Sequence, residues 1–281
     1  MGNHFISTKT ISNQDLELLK ASKNKMEQLS LAIRAVNKIG NATESTIKMI
    51  PEKALETLQK STKSILLGII KSNLISIKKN KTFKKPSNHT YKIIVTGSGA
   101  LSGFLGSSTG IGTAIFISEL ALTTKLIMRT IMDIARSEGE DIYTLEGQLA
   151  CLQVFALGGS SNEDDGMETS YYTTRTALAT SLKKVTASGL KMTLDGLVKG
   201  STTLGSKTLT NFISKIASRL TVLISEKFLV QIIPVISAVS GGALNYIFID
   251  HFQNMATAHF TIKRLERKYG IEKVKASYDS F

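Results

Sequence analysis

Three residue types are scarce in this chain of 281 residues. Tryptophan is absent, proline occurs only at positions 51, 86 and 234, and Cys151 is the single cysteine. One cysteine excludes an intrachain disulfide and a cysteine-based metal cluster. Scarce proline with abundant leucine, isoleucine, alanine and lysine favours long helices over strands and turns. We therefore predict an all-α, multi-helix bundle.

Recognisable catalytic motifs are missing as well. The sequence contains no HExxH, GxSxG or paired CxxC motif. Its closely spaced glycines lack the third glycine of a dinucleotide loop and the lysine of a P-loop. Enzymatic activity therefore stays open. The first ten residues carry no basic segment followed by an apolar core, so we expect no signal peptide and a cytoplasmic protein.

Positive charge is in excess, with a net charge of +13 and a pI of about 9.7. Between Lys71 and Lys92 there are seven lysines and no acid. This segment is either a solvated linker or a patch that binds an anionic membrane surface. Nucleic acid is disfavoured as a partner because no binding module is visible. The candidate membrane-surface residues are Lys78, Lys79, Lys81, Lys84 and Lys85.

Apolar residues recur at three-to-four spacing in several segments, which is typical of amphipathic helices. One helix is predicted from the N-cap Ser12 to Ile39, and another begins at Thr144. Gly139 and Gly270 are predicted stops. Further helices are predicted over 51–77, 112–138, 208–224 and 245–268. We divide the chain into N-terminal helices with the polybasic loop (1–85), a helical domain (86–275) and a polar tail (276–281).

Two uncharged, glycine-containing stretches occupy residues 93–118 and 228–249. A shift of 131 residues superposes Gly110 on Gly241 and Glu119 on Asp250, which suggests a structural repeat. Glycine permits close helix approach, so we predict that the two stretches pack as a central pair rather than crossing a bilayer. We expect Pro234 and the Gly241-Gly242 pair to break the second stretch. The residues with a predicted structural role are Gly110, Gly112, Gly241, Gly242 and Asn245.

An acidic loop precedes a predicted helix, with Asp164, Asp165 and Glu168 as its carboxylates. Acids at this position cap a helix N-terminus and suit its dipole. The alternative is a ligand or divalent-cation site to which Tyr171 and Arg175, on the helix that follows, contribute. No other cofactor is predicted.

Glu119 and Asp250 would face each other if the repeat is real. A buried carboxylate pair of this kind could act as a general acid or a metal ligand, and Asp165 and His251 complete the catalytic candidates. His251 falls on the apolar side of its helix, where a core position is the alternative.

Several strings resemble the EcsC protein family. They are the glycine-rich helix leading to Glu119, ALGG (156–159) with the acids and Arg175 that follow, IPVISAVSGGALNY (233–246) and DHFQNMATAHFTIKRLERKYG (250–270). The resemblance covers about residues 90–275. It implies a mostly helical bacterial protein, cytoplasmic or associated with the inner membrane, whose namesake is encoded beside an ABC transporter. It implies no established reaction.

Three functions follow as expectations. The first is a non-enzymatic helical protein, peripheral to the inner membrane, that supports a transporter or secretion system. The second is a hydrolase or metal-dependent enzyme that uses the acidic loop with Glu119, Asp250 and His251. The third is a membrane-inserting pore former.

Overall fold

The computed structural model describes residues 10–39, 52–76, 90, 92–94, 110–157, 171–182, 204–232 and 234–281. Every regular element in these ranges is helical and none is a strand, which confirms the all-α prediction. A 3₁₀ turn, Val154–Ala156, follows the fourth helix. The α-helices are α1 (Asn13–Ile39), α2 (Glu52–Ser76), α3 (Gly110–Ser137), α4 (Leu145–Gln153), α5 (Tyr171–Leu182), α6 (Leu204–Ile232), α7 (Pro234–Tyr269) and α8 (Ile271–Asp279).

The predicted caps and stops coincide with real helix ends. Ser12 Oγ accepts from the Asp15 N–H at 3.3 Å, and Thr144 Oγ1 accepts from the Gly147 N–H at 3.1 Å. Each bond satisfies an N–H that has no partner within its own helix. Gly139 and Gly270 have φ of +79° and +92°, a left-handed conformation that favours glycine. The sequence therefore predicted the C-terminal ends of α3 and α7 correctly.

Pro234 divides the second uncharged stretch as expected, because α6 ends at Ile232 and α7 begins at Pro234. The expected break at Gly241-Gly242 was wrong. Helix α7 begins at Pro234 and continues through Gly241 and Gly242 without a break. Proline fits a first helical position because no intrahelical N–H bond is needed there. Residues 276–279 of the predicted polar tail belong to helix α8, in which Val274 and Tyr278 lie one turn apart and are both buried.

Helix α7 organises the packing. It contacts α1, α3, α6, α8 and the 3₁₀ turn, while α2 packs on α3 and α6 and α5 packs on α6. The largest wholly buried side chains include Phe155, Phe212, Phe252 and Phe260. The rings of Phe155 and Phe252 meet edge to face at 5.1 Å, which joins the 3₁₀ turn to α7.

No helix in the described ranges has a stretch that is both long and apolar enough to cross a membrane. Gly110 and Gly112 lie in the first turn of α3, and Gly241 and Gly242 lie within α7. The structure describes the helical backbone at these four glycines but not which residues surround them. Their close packing as a central pair therefore stays a prediction, as do the three-part division of the chain and the internal repeat.

Candidate functional site

A cluster of polar side chains is buried where α5, α7 and α8 meet. Tyr171 and Arg175 are four residues apart on α5, so they share one face of that helix. His259 and Glu266 are seven residues apart on α7 and also share a face. The cluster, called the α5–α7 cluster below, comprises Tyr171, Tyr172, Arg175, His259, Glu266 and Tyr278.

A bidentate ion pair lies at its centre. Arg175 donates from NH1 to Glu266 Oε1 at 2.6 Å and from NH2 to Oε2 at 2.9 Å. Tyr172 donates its hydroxyl to the same Oε1 at 3.0 Å. The side chains of Arg175 and Glu266 are only 19% and 5% exposed. Both carboxylate oxygens are thus engaged, so Glu266 is built to hold Arg175 rather than to accept a substrate proton.

Tyr171 links this ion pair to His259. Arg175 NH1 donates to the Tyr171 hydroxyl at 3.1 Å, and that hydroxyl lies 2.9 Å from His259 Nδ1. The hydroxyl can donate to Nδ1 or, through its second lone pair, accept from it, so the tautomer of His259 sets the direction of this hydrogen bond. Nε2 is buried and has no hydrogen-bond partner among the described residues.

The protonation states leave the cluster with one positive and one negative charge. Burial lowers the pKa of His259 well below its usual value, and Arg175 and Lys263 lower it further. Burial also raises the pKa of Tyr171 and of Tyr172, so both hydroxyls remain neutral. The cluster therefore joins α5 to α7 through one ion pair surrounded by neutral tyrosine and histidine side chains.

Helix α8 covers one side of the cluster. The Tyr278 ring lies 5.7 Å from that of Tyr171 and 5.3 Å from that of Tyr172, measured between ring centroids. The Arg175 guanidinium lies over both of those α5 rings, at 5.1 and 5.5 Å. Aromatic faces and a guanidinium at these distances attract one another.

Two further ionic networks hold α7 to its neighbours. Asp15 on α1 accepts from Lys268 Nζ at 2.7 Å and from the Tyr269 hydroxyl at 2.6 Å. These two hydrogen bonds lower the pKa of Asp15 from 3.8 to about 2. At the end of α3, Glu138 accepts from Arg264 at 2.7 Å and Glu140 pairs with Arg267 at 2.5 Å. The C-terminal ends of α3 and α7 therefore meet.

The catalytic candidates occupy different environments. Asp250 is partly exposed, forms an ion pair with Lys92 and accepts from Asn254 at 2.8 Å. His251 is buried, and burial lowers its pKa to about 4 although Asp250 opposes this. Glu119 is buried on α3. Within the described ranges, no three His, Cys, Asp or Glu side chains are grouped so that they could hold a metal ion.

Other predicted site residues are divided between described and undescribed parts of the chain. Tyr171 and Arg175 come together, and their partners among the described residues include His259 and Glu266 on α7. Asn245 is wholly buried. Asp164, Asp165, Glu168 and the five lysines Lys78, Lys79, Lys81, Lys84 and Lys85 lie outside the described residues, so their roles stay predictions.

Sequence reasoning missed four members of the cluster: Tyr172, His259, Glu266 and Tyr278. The spacing of His259 and Glu266 places them on one helix face, which was the available signal. Their partners on α5 are distant in sequence, because Tyr171 precedes His259 by 88 residues and Arg175 precedes Glu266 by 91. No local pattern indicates contacts across such separations. Cys151 is an unreactive thiol, because it is buried and burial raises its pKa.

The fold and cluster define a class, an all-α bundle whose helices are fastened to one long helix by buried ionic and aromatic contacts. The model of the EcsC protein family matches residues 13–265, and the chain therefore belongs to that family. The match begins in α1, well before the segments whose strings carry the resemblance. Comparison with curated proteins and with solved structures gave no significant match.

Proposed function

We propose that the protein is a non-enzymatic helical protein that associates peripherally with the anionic face of the bacterial inner membrane. There it would support a membrane protein such as an ABC transporter or a secretion system. The surface association is supported by how the chain distributes its charge. The transporter or secretion role rests on the family resemblance alone.

The observation that carries the proposal is the use of carboxylates inside the bundle. Several acids in the described ranges form ion pairs with lysine or arginine, most of them across helix contacts. These acids are Asp15, Asp133, Glu138, Glu140, Asp250 and Glu266. Each ion pair cancels one acid with one base, so the excess of +13 remains, and the exposed Lys125 and Arg129 on α3 contribute to it.

The acid-free segment from Lys71 to Lys92 is the strongest concentration of that charge. A lysine near an anionic bilayer contributes about 1 kcal/mol, and the attraction fades within a Debye length. Five lysines acting together would supply several kcal/mol, enough for reversible binding without a spanning helix.

Sedimentation with vesicles tests the proposal. Wild-type protein is expected to bind vesicles of phosphatidylglycerol and phosphatidylcholine at low salt, and not vesicles of phosphatidylcholine alone. Changing Lys78, Lys79, Lys81, Lys84 and Lys85 to glutamine should weaken binding at least about a hundredfold. The matched control removes five other lysines, namely Lys53, Lys60, Lys63, Lys125 and Lys215.

If the two variants lose vesicle binding equally, net charge alone explains the binding and the lysine segment has no specific role. Wild-type protein that stays wholly in solution with anionic vesicles at low salt would end the proposal. Dye release from the same vesicles would instead favour pore formation. The cation site at Asp164, Asp165 and Glu168 is tested separately, by titrating Mg²⁺ and Ca²⁺ into wild-type protein and an Asp165→Asn variant.

A further inference from the structure

Two adjacent isoleucines are largely exposed, and the lysine that precedes them lies over the ring of an exposed tyrosine on α7. Ile93 and Ile94 are 61% and 48% exposed, and Tyr246 is 45% exposed. Exposed apolar residues scattered singly are ordinary, but Lys92 brings these three to one region of the surface, as in an interaction surface. Ile93, Ile94 and Tyr246 are called the apolar anchor below. The two isoleucines follow the acid-free lysine segment in the chain, and the Tyr246 ring contacts the last lysine of that segment.

Lys92 holds the anchor together. Its ammonium forms an ion pair with Asp250 and lies 4.8 Å from the centroid of the Tyr246 ring. Tyr246 and Asp250 are one helical turn apart on α7, so both contacts fix the backbone next to Ile93 against the same helix face. Asp250 is itself fixed by a hydrogen bond from Asn254 at 2.8 Å.

Charge identifies the occupant of this surface. The six lysines that precede Lys92 in the segment are accompanied by no acid in the sequence, and Asp250, one turn from Tyr246 on α7, forms an ion pair with Lys92. An aromatic ring and aliphatic side chains that follow a lysine-rich segment in the sequence suit the boundary between lipid headgroups and acyl chains.

We propose that Ile93, Ile94 and Tyr246 insert into the interfacial region of an anionic bilayer after the neighbouring lysines have brought the protein to its surface. This inference rests on the proposed function and adds a second contribution to binding. Lysines give attraction that salt screens, whereas inserted side chains give a contribution that salt does not remove. At about 1 M salt the Debye length is about 3 Å, so the lysine attraction is screened while the contribution of the inserted side chains remains.

Two variants test the anchor on the full chain. Ile93→Ser combined with Ile94→Ser should reduce partitioning into phosphatidylglycerol-containing vesicles about tenfold or more at high salt. At low salt the loss should be smaller, because the lysines remain. Ile271→Ser is the matched control, since Ile271 is 55% exposed and follows the far end of α7. That end is roughly 35 Å from Tyr246 along the helix axis.

A spectroscopic readout is available because the chain has no tryptophan. Ile94→Trp introduces a single fluorophore, whose emission should shift to the blue on adding anionic vesicles and remain shifted at high salt. Leu122→Trp is a comparison on an exposed α3 position outside the anchor and should shift less. Circular dichroism before and after thermal unfolding verifies that each variant is folded.

Each outcome has a distinct meaning. If wild-type protein binds anionic vesicles but the double serine variant binds equally at high salt, and Ile94→Trp does not shift, the anchor is overturned while the proposed function stands. If wild-type protein binds no anionic vesicles, both fail. Recovery on native membranes but not on protein-free vesicles would assign the surface to a protein partner and overturn the lipid inference.

Discussion

Replacing Glu266 with glutamine isolates the contribution of its charge to the α5–α7 cluster. The variant keeps the shape of the side chain and removes its charge. It also turns one of the two oxygens into an NH₂ group that faces the donor groups of Arg175. The guanidinium, only 19% exposed, is left without its counterion.

The expected loss of stability follows from that burial. Removing one partner of a buried ion pair costs about 3–5 kcal/mol, because the other charge stays desolvated. Arg175 keeps some contact with solvent, so we expect a value near the lower limit, about 3 kcal/mol. The exposed pair of Glu56 and Lys60, whose side chains are 59% and 78% exposed, is the control. Glu56→Gln should cost no more than about 0.5 kcal/mol.

Urea unfolding monitored by far-ultraviolet circular dichroism measures both variants, with midpoints compared at a common m-value. Adding Arg175→Met to Glu266→Gln removes the buried unpaired charge. The double variant should therefore be more stable than Glu266→Gln by about 1–3 kcal/mol. A loss below about 1 kcal/mol for Glu266→Gln would refute the reasoning, as would a double variant less stable than the single one.

Three further changes should have separable effects. Tyr278→Ala should cost about 3 kcal/mol in urea unfolding because it removes the ring covering the cluster, whereas Ile271→Ala on exposed α8 surface should change stability by less than about 0.5 kcal/mol. Since the pKa of Asp15 is lowered from 3.8 to about 2, its contribution to folding stability is full above about pH 4 and is lost as pH falls towards 2. Asp15→Asn should therefore flatten this part of the pH–stability profile. An unchanged profile would contradict the assignment. Gly270→Ala should lower the unfolding free energy by about 1–2 kcal/mol because its φ is +92°, whereas Gly68→Ala, with open space inside α2, should raise it by about 0.5–1 kcal/mol. The reverse order of midpoints for the two glycine variants would be inconsistent with this structure.

Local chemistry explains which parts of the fold were predictable. Ser12 and Thr144 cap their helices through side-chain oxygens, and Gly139 and Gly270 end theirs with positive φ. Each signal involves residues close together in the chain. Amphipathic spacing likewise predicted the existence of α1 and α2. Local preference failed at Gly241 and Gly242, where the helix continues through two residues that are poor helix formers.

The site was less predictable because its contacts join distant parts of the chain. Tyr171 and Arg175 could be singled out, but their partners lie 88 and 91 residues later. Sequence patterns placed His259 and Glu266 on α7 without indicating which helix faces them. Helix α8 was missed because its apolar face consists of only two buried side chains, Val274 and Tyr278.

The end of the chain also connects α1 with the cluster. Lys23 on α1 donates to the backbone oxygen of Tyr278 at 3.1 Å, and its ammonium lies 5.2 Å from the Tyr278 ring centroid. Asp15 fastens the start of α1 to Lys268 and Tyr269 at the end of α7. These contacts hold α8 between α1 and the rings on α5. A change that releases α1 would therefore loosen Tyr278 and raise the solvent exposure of the Arg175 ion pair, although Asp15 and Lys23 are not members of the cluster.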